Sequence, residues 1–305
     1  MQVTILGTSS AIPTFKRGLS GVVVDRHKEA FLFDCGEGTQ FQLLKIGGRT
    51  ARLSTIFITH LHGDHFYGLP GLLSSLNLNR REGALELYGP VGLRRFVDFT
   101  MSFPKRQNYL YDVKVFELEP GFEGVVVDRE DYRVLTLPLD HRLPTHGYRL
   151  EEKPRPGVFD ATRADELGVP FGPERAMLQR GHTITLADGR VIRAEEIVGP
   201  PRSGKVFAYC TDTGFAINAK RLAQGADLLV HEATYGDDMV DMAIERKHST
   251  IRQAAAVAQG ARAKRFIATH FSTRYDRELI EHLEREGRDV YPGLVMAKDL
   301  LSVEI

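Results

Sequence analysis

The chain has only two cysteines, Cys35 and Cys210, and no CxxC. A disulfide framework is therefore excluded, and so is a structural zinc site held by thiolates. Long apolar runs are missing too. None approaches the ~18 consecutive residues a membrane helix needs. Residues 1–6 enter a strand-like pattern directly, without a basic stretch followed by an apolar one, so no signal peptide is expected and a cytoplasmic location is. Nor is there an excess of either charge: Lys and Arg total 40, Asp and Glu 40. A nucleic-acid binder usually shows a basic excess, so phosphate binding here would have to rely on local patches. What remains is 305 residues, 42% of them hydrophobic. That suffices for a sizeable core, and an α/β fold of this length often forms one domain.

Short runs rich in Val, Ile and Phe, bounded by Gly, Asp or Pro, read as strands at 3–6, 22–25, 30–34, 55–59, 85–88, 113–118, 132–137, 206–210, 228–231 and 265–269. Helical periodicity lies between them at 39–46, 69–76, 93–101, 216–224, 250–259 and 277–286. Strands and helices interleave in both halves, which predicts α/β layers. Titratable residues recur where strand-like runs end: Thr59-His60, Asp140-His141, Thr211-Asp212, His231-Glu232 and Thr269-His270. Ligands of open α/β sheets sit beyond the carboxyl ends of strands.

The rhythm breaks between about 151 and 205, where PRPG, GVPFGP and GPPRSGK occur. Residues 183–186 and 191–193, joined by Asp188-Gly189, suggest a small hairpin. A Pro/Gly-rich stretch of this length inside a compact domain is uncommon. It reads as an arm inserted in a single domain spanning 1–305, with an ordinary surface insertion as the plainer alternative.

The strongest signal is Thr59-His60-Leu61-His62-Gly63-Asp64-His65, an HxHxDH run. His60 and His62 can point the same way from an extended end, and Asp64 and His65 then turn toward a second position. Imidazole and carboxylate without thiolate suit zinc, with manganese or iron as alternatives. These four groups cannot complete two metal sites. His141, Asp212 and His270, each at a strand end, supply what is lacking. Taken singly, each would more often be a surface or capping residue.

At these residues the chain resembles the metallo-β-lactamase superfamily. Narrower elements, in order, resemble ribonuclease Z, the tRNA 3′-processing endonuclease family: ILGTSSAIPT, FDCGEGTQFQL, THLHGDHFYGLPGLL, DHRLPTHGYRL, YCTDT, HEATY, KHST and ATHFSTRY. The resemblance covers nearly the whole chain. It implies an αββα sandwich with a protruding arm, a homodimer, a precursor tRNA substrate cut to leave a 3′-hydroxyl, and no membrane partner. It implies that His60, His62 and His141 hold one zinc, that Asp64, His65 and His270 hold the other, and that Asp212 bridges both; manganese is the alternative metal. Asp64 would serve as ligand, as base, or as both. His248 would act as a general acid with Glu232 behind it, although His248 alone could simply precede a helix capped by Ser249. Asp34 would support the histidine run, and Gly172-Pro173 would mark the RNA-binding arm. That arm carries nine basic and nine acidic residues between Glu151 and Lys205, so a phosphate-binding face there depends on arrangement.

The other histidines have blander expectations: His231 a satisfied core residue, His146 no metal ligand, and His27, His182 and His282 surface residues. Arg80-Arg81, Arg94-Arg95 and Lys105-Arg106 are candidate phosphate contacts, more often solvated faces. Phe66, Tyr67, Phe271 and Tyr275 are candidate stacking partners for bases, with packing the default. Two other functions compete: a small-molecule phosphodiesterase or arylsulfatase, which needs no arm, and a non-catalytic RNA scaffold, which needs no complete ligand set.

Overall fold

The computed structural model describes residues 1–47, 49–103, 109–275 and 277–305. In chain order the strands are β1 (Gln2–Gly7), β2 (Gly21–Arg26), β3 (Glu29–Phe33), β4 (Leu53–Phe57), β5 (Leu85–Pro90), β6 (Val113–Leu118), β7 (Gly124–Asp128), β8 (Tyr132–Leu139), β9 (Thr145–Glu152), β10 (Ile184–Thr185), β11 (Val191–Ile192), β12 (Val206–Cys210), β13 (Leu228–Glu232), β14 (Phe266–Thr269), β15 (Leu294–Met296) and β16 (Ser302–Glu304). The helices are α1 (Thr39–Lys45), α2 (Gly63–Phe66), α3 (Leu69–Leu78), α4 (Leu93–Ser102), α5 (Ala161–Glu166), α6 (Pro173–Gln179), α7 (Ile217–Ala223), α8 (Val240–Arg246), α9 (Ile251–Gly260) and α10 (Arg277–Arg288).

Two compact units result. The first comprises residues 1–127, 134–150 and 206–305 and is built on two seven-stranded sheets, ordered β16-β1-β2-β3-β4-β5-β6 and β15-β14-β13-β12-β9-β8-β7. β3 to β6 run parallel in one sheet and β12 to β15 in the other. Of these, β3, β4, β12, β13 and β14 are buried on both faces, which explains why they read as apolar runs.

Strand alternation sorts the layers. On β3, on β4 and just beyond it, Leu32, Ile56 and Ile58 join the core beneath α1, α3 and α4, with Leu43, Leu72, Leu73 and Val97. Phe33 and Phe57 point the other way and bind the sheets together. The Phe33 ring lies 5.2 Å from Phe207 and 5.8 Å from Tyr209, and Phe57 lies 5.1 Å from Tyr148. Two buried hydroxyls also cross between sheets: Tyr148 donates to the Ile58 carbonyl (2.7 Å) and Tyr209 to Asp34 (3.0 Å). On the outer face of the second sheet, α7 contacts β12, and α9 contacts β13 and β14. Helices on both outer faces make this an αββα sandwich of the metallo-β-lactamase fold.

Four strands went unpredicted: β7, β9, β15 and β16. So did α2, α5, α6 and α8. The second unit, residues 128–133 and 151–205, is richer in regular structure than its composition suggested. Asp160 caps α5 by accepting from the Arg163 amide at 2.9 Å. Gly172, with φ 135° and ψ −146°, starts α6, and Pro173 occupies the first turn. That backbone conformation is nearly exclusive to glycine, and proline is preorganised for a first helical turn. The expected hairpin is present as β10 and β11, paired antiparallel. Ala164, Val169, Leu178, Ile184, Ile192 and Ile197 form a small core of this unit's own.

Candidate metal centre and its proton-bearing histidine

The first unit gathers the predicted ligands. β4 ends just before the histidine run, and α2 turns Asp64 and His65 away from His60 and His62. β12, β13 and β14 end side by side at Asp212, Glu232 and His270. Asp34, Asp212 and His270, all at strand ends, adopt φ of 58°, 52° and 62°. Left-handed backbone at non-glycine residues costs roughly 1–3 kcal/mol each and clusters at functional sites.

The side chains fall into two groups that share Asp212. In the first, His60 Nε2 lies 2.9 Å from His62 Nδ1, His141 Nε2 lies 3.3 Å from that same atom, and Asp212 Oδ2 is 3.5 Å from His60 and 3.8 Å from His141. In the second, His65 Nε2 and His270 Nε2 are 3.3 Å apart, each 3.4 Å from Asp64 Oδ2, and 3.3 and 3.2 Å from Asp212 Oδ1. Four ligands about 2.0–2.1 Å from a tetrahedral ion stand roughly 3.3–3.4 Å from one another. In the second group the two imidazoles have these spacings to each other and to both carboxylates. The donor atoms of Asp64, His65 and His270 lie within 4.8 Å of one another, and so do those of the first group. Such nitrogen and carboxylate sets can hold metal ions, one oxygen of Asp212 facing each group.

The electrostatics agree. Burial lowers the pKa values of His60, His62 and His141, favouring the neutral imidazole that binds metal. Burial opposes charge on Asp212 too, but His270, His65 and His60 outweigh it and hold the carboxylate well below its usual range. At His65 burial is overcome by Asp212, Asp64 and Asp34, which raise its pKa. Three converging carboxylates thus favour positive charge at this point.

Each candidate ligand that presents Nε2 has its Nδ1 held. His65 Nδ1 donates to Asp34 Oδ2 at 2.8 Å and His141 Nδ1 to the Lys247 carbonyl at 3.0 Å. His60 Nδ1 donates to the Thr59 hydroxyl (3.0 Å), which donates on to Asp34 (2.9 Å). His270 Nδ1 donates to the Thr234 hydroxyl (2.9 Å), which donates to Glu232 Oε2 (2.6 Å). Such partners fix ring orientation and tune ligand strength. Asp34 stands behind His65 directly and behind His60 through Thr59; Thr59 and Thr234 were not anticipated. Their signal was their place directly before a ligand or two residues after a strand-end carboxylate.

Glu232 is fully buried. It accepts from the amides of Thr213 (2.9 Å) and Thr234 (3.0 Å) and from His248 Nδ1 (2.8 Å). That bond leaves Nε2 of His248 to the cavity it lines. Burial would lower the His248 pKa, but Glu232 outweighs it and the value is raised to about 9, so the ring keeps its proton through neutral pH. Ser249 is not the helix cap: its hydroxyl donates to the Thr213 carbonyl, and Thr250 caps α9, its hydroxyl accepting from the Gln253 amide.

The cavity is about 550 Å³. Its lining includes His62, Asp64, His141, Asp212, His248 and His270, together with Ala11–Pro13, Tyr67 and three arginines, Arg142, Arg246 and Arg274. The Ala11 amide donates to Asp64 Oδ2 at 2.8 Å. The predicted pairs Arg80-Arg81 and Arg94-Arg95 do not line it: Arg81 donates to the carbonyls of Gly83 and Ala84, and Arg94 to that of Val115. Lys105-Arg106 lies outside the described residues. His27, His182 and His282 are exposed. His231 is buried as expected, but is only half satisfied: Nδ1 meets the Glu232 carbonyl at 2.7 Å, while Nε2 has no partner among the described residues. His146 is buried and belongs to none of the metal-capable groups among the described residues, with burial lowering its pKa to about 4.

Fold and site together define a metal-dependent hydrolase of the metallo-β-lactamase fold. Two family models match parts of the chain: the beta-lactamase superfamily domain over residues 197–271 and the anti-Pycsar protein Apyc1 over residues 1–96. Full-length relatives are more specific. Ribonuclease Z of Cyanothece sp. is 43% identical over 310 residues, covering 100% of this chain and 96% of that one, and ribonuclease Z of Synechocystis sp. is 44% identical, covering 100% and 94%. The crystal structure of human tRNase Z, short form, superposes with a TM-score of 0.74 at 32% identity, covering 100% of this chain and 99% of that one. The chain belongs to the ribonuclease Z family.

Asp34 offers a direct check on the built centre. Asparagine in its place keeps one acceptor but puts an amide against either the Thr59 groups or the His65 Nδ1–H. Asp34→Asn should therefore weaken metal binding by about 10–100-fold, read by competition with a chromogenic chelator. Wild-type affinity in that variant would show that Asp34 does not orient the ligand.

Proposed function

We propose that this chain is an endoribonuclease that removes the 3′ trailer from precursor tRNA by hydrolysing one phosphodiester, leaving a 3′-hydroxyl on the tRNA. The observation that carries this reading is the Glu232–His248 pair opening into the same cavity as the two ligand groups. Cleavage that leaves a 3′-hydroxyl must protonate a departing alkoxide, and an imidazolium backed by a buried carboxylate is a suitable donor. A small-molecule phosphodiesterase or arylsulfatase is the weaker reading, since the full-length relatives are ribonucleases Z.

His60, His62, His141 and Asp212 would hold one zinc ion, and Asp64, His65, His270 and Asp212 a second; manganese has compatible ligands. When bound, such ions supply charge neutralisation at phosphoryl oxygens and a nucleophile at neutral pH. Around them the chain's own groups do the positioning. Asp64 is held by the Ala11 amide, and its remaining oxygen can take a proton from the attacking water. Arg142, Arg246 and Arg274 give the cavity a local cationic lining, which answers the neutral overall charge. Glu232 holds the His248 tautomer, and His248 Nε2 delivers its proton to the leaving 3′-oxygen.

The arm, with Gly172 and Pro173 exposed at the start of α6, is the RNA-binding element in this reading. The protein would work as a homodimer in which one subunit's arm presents tRNA to the other's site. Among the described residues no helix is long and apolar enough to cross a membrane, and we place the enzyme in the cytoplasm.

The test of function is an end-labelled precursor tRNA bearing a 3′ trailer, with the product ends mapped. Wild type should give a single cut at the tRNA 3′ end. His248→Ala should keep its metals yet cut about 10²–10⁴-fold more slowly, and the loss should shrink on a nitrophenyl phosphodiester, whose leaving group hardly needs protonation. An equal loss on both substrates would remove His248 from the role of acid.

A second variant tests the arm. Replacing residues 154–201 with a short Gly/Ser linker deletes none of the proposed ligands. Remote phosphate contacts supply much of the affinity for a large RNA, and their binding energy drives the chemical step. The replacement should cripple precursor tRNA cleavage while sparing the nitrophenyl diester. Parallel loss of both activities would mean that the arm belongs to the fold or the catalytic site, and loss of neither would mean that it does not recognise tRNA.

A further inference from the structure

Four aromatic residues stand close to the ligands in sequence, and the structure separates them sharply. Phe66, Phe271 and Tyr275 are 7%, 1% and 4% exposed and belong to the core. Tyr67 is 59% exposed, and it lines the cavity that holds His62, Asp64 and His248.

Tyr67 is exposed, but it is not loose. It follows α2 directly, and its amide donates to the Gly63 carbonyl at 3.0 Å. Its ring lies on Gly63, where an added Cβ would come within 2.4 Å of the ring edge. Gly63 is the residue between the ligands His62 and Asp64, so any side chain there would push the ring away. Phe66 and Phe96 brace the ring further, with centroids 4.8 and 6.3 Å away. A large aromatic surface is thus held rigidly beside the ligands and left open to the cavity. Packing alone does not account for this, since core packing would cover the ring.

We propose that Tyr67 is a stacking platform for the base of a nucleotide adjoining the scissile phosphate. This rests on the RNA substrate proposed above. Every base has a π-face, so stacking on one aromatic ring tolerates any sequence. A processing enzyme that meets tRNAs and trailers of differing sequence needs that tolerance. Because the ring is braced against Gly63 and Phe66, a base stacked on it would fix the adjoining phosphate relative to Asp64 and His62 without a hydrogen bond to any base edge. Tyr67 is then a positioning residue and takes no part in proton transfer.

The experiment compares wild type, Tyr67→Phe and Tyr67→Leu on precursor tRNA, and on the same RNA with an abasic nucleotide placed on one side or the other of the cleavage site. Stacking on one base is worth about 1–3 kcal/mol, so Tyr67→Leu should lose about 5–150-fold in kcat/KM. Tyr67→Phe should stay within about twofold, since the ring is kept. On one of the two abasic substrates the wild type should be slowed by the same factor, and Tyr67→Leu should lose nothing further. Metal content should be unchanged in both variants. The proposal is overturned if the leucine penalty is the same on all three RNAs, if phenylalanine loses as much as leucine, if neither variant loses activity, or if the leucine variant sheds metal. A wild-type enzyme that fails to cut precursor tRNA at all would instead overturn the substrate reading.

Discussion

The carboxylate of Asp212 is the constraint on which the site depends. It is 3% exposed, and a buried carboxylate without compensation is strongly disfavoured. Its two oxygens are met by imidazoles on both sides, His60 and His141 toward Oδ2, His65 and His270 toward Oδ1. This requires β4, β8, β12 and β14 to end at one place, and so requires two sheets packed closely enough for their strand ends to converge. The aromatic layer of Phe33, Phe57, Tyr148, Phe207 and Tyr209 provides that closeness. The left-handed backbone at Asp34, Asp212 and His270 is the local cost, offset by the hydrogen bonds their side chains make.

A second regularity lies behind the ligands. Asp34 and Glu232 are both buried carboxylates, each receives a threonine hydroxyl, and each threonine receives the Nδ1–H of a ligand histidine. Asp34 also receives His65, and Glu232 receives His248. One design thus orients two ligands on one side, and a ligand together with the proposed acid on the other. The orientation of His270 and of His248 meets in Glu232, so the proton donor and the second ligand group are positioned by the same side chain.

Much of this was legible in the sequence. The HxHxDH run and the titratable residues at strand ends marked the side chains that the fold brings into one cluster, because side-chain chemistry and strand termination are both local. Completely buried strands were legible as apolar runs. What was hidden had physical causes. β9 carries Thr145, His146, Arg149, Glu151 and Glu152 and shows no apolar run. β15 and β16 are three residues long. α2 is a single turn, too short for periodicity. α5 and α6 each bury one residue, Ala164 and Leu178, so neither shows an apolar stripe. Thr59 and Thr234 were marked only by their position next to titratable residues, which does not say what a hydroxyl will meet; the fold sets that. The same holds for Tyr67 against its buried neighbours.

The claim most open to direct measurement is that one carboxylate serves both ligand groups. Calorimetric titration of metal-free protein with zinc, in wild type and Asp212→Ala, addresses it. The account predicts two equivalents for wild type, and for the variant weakened binding at both positions with activity lost on every phosphodiester. Two equivalents bound at wild-type affinity by an active Asp212→Ala protein would contradict it.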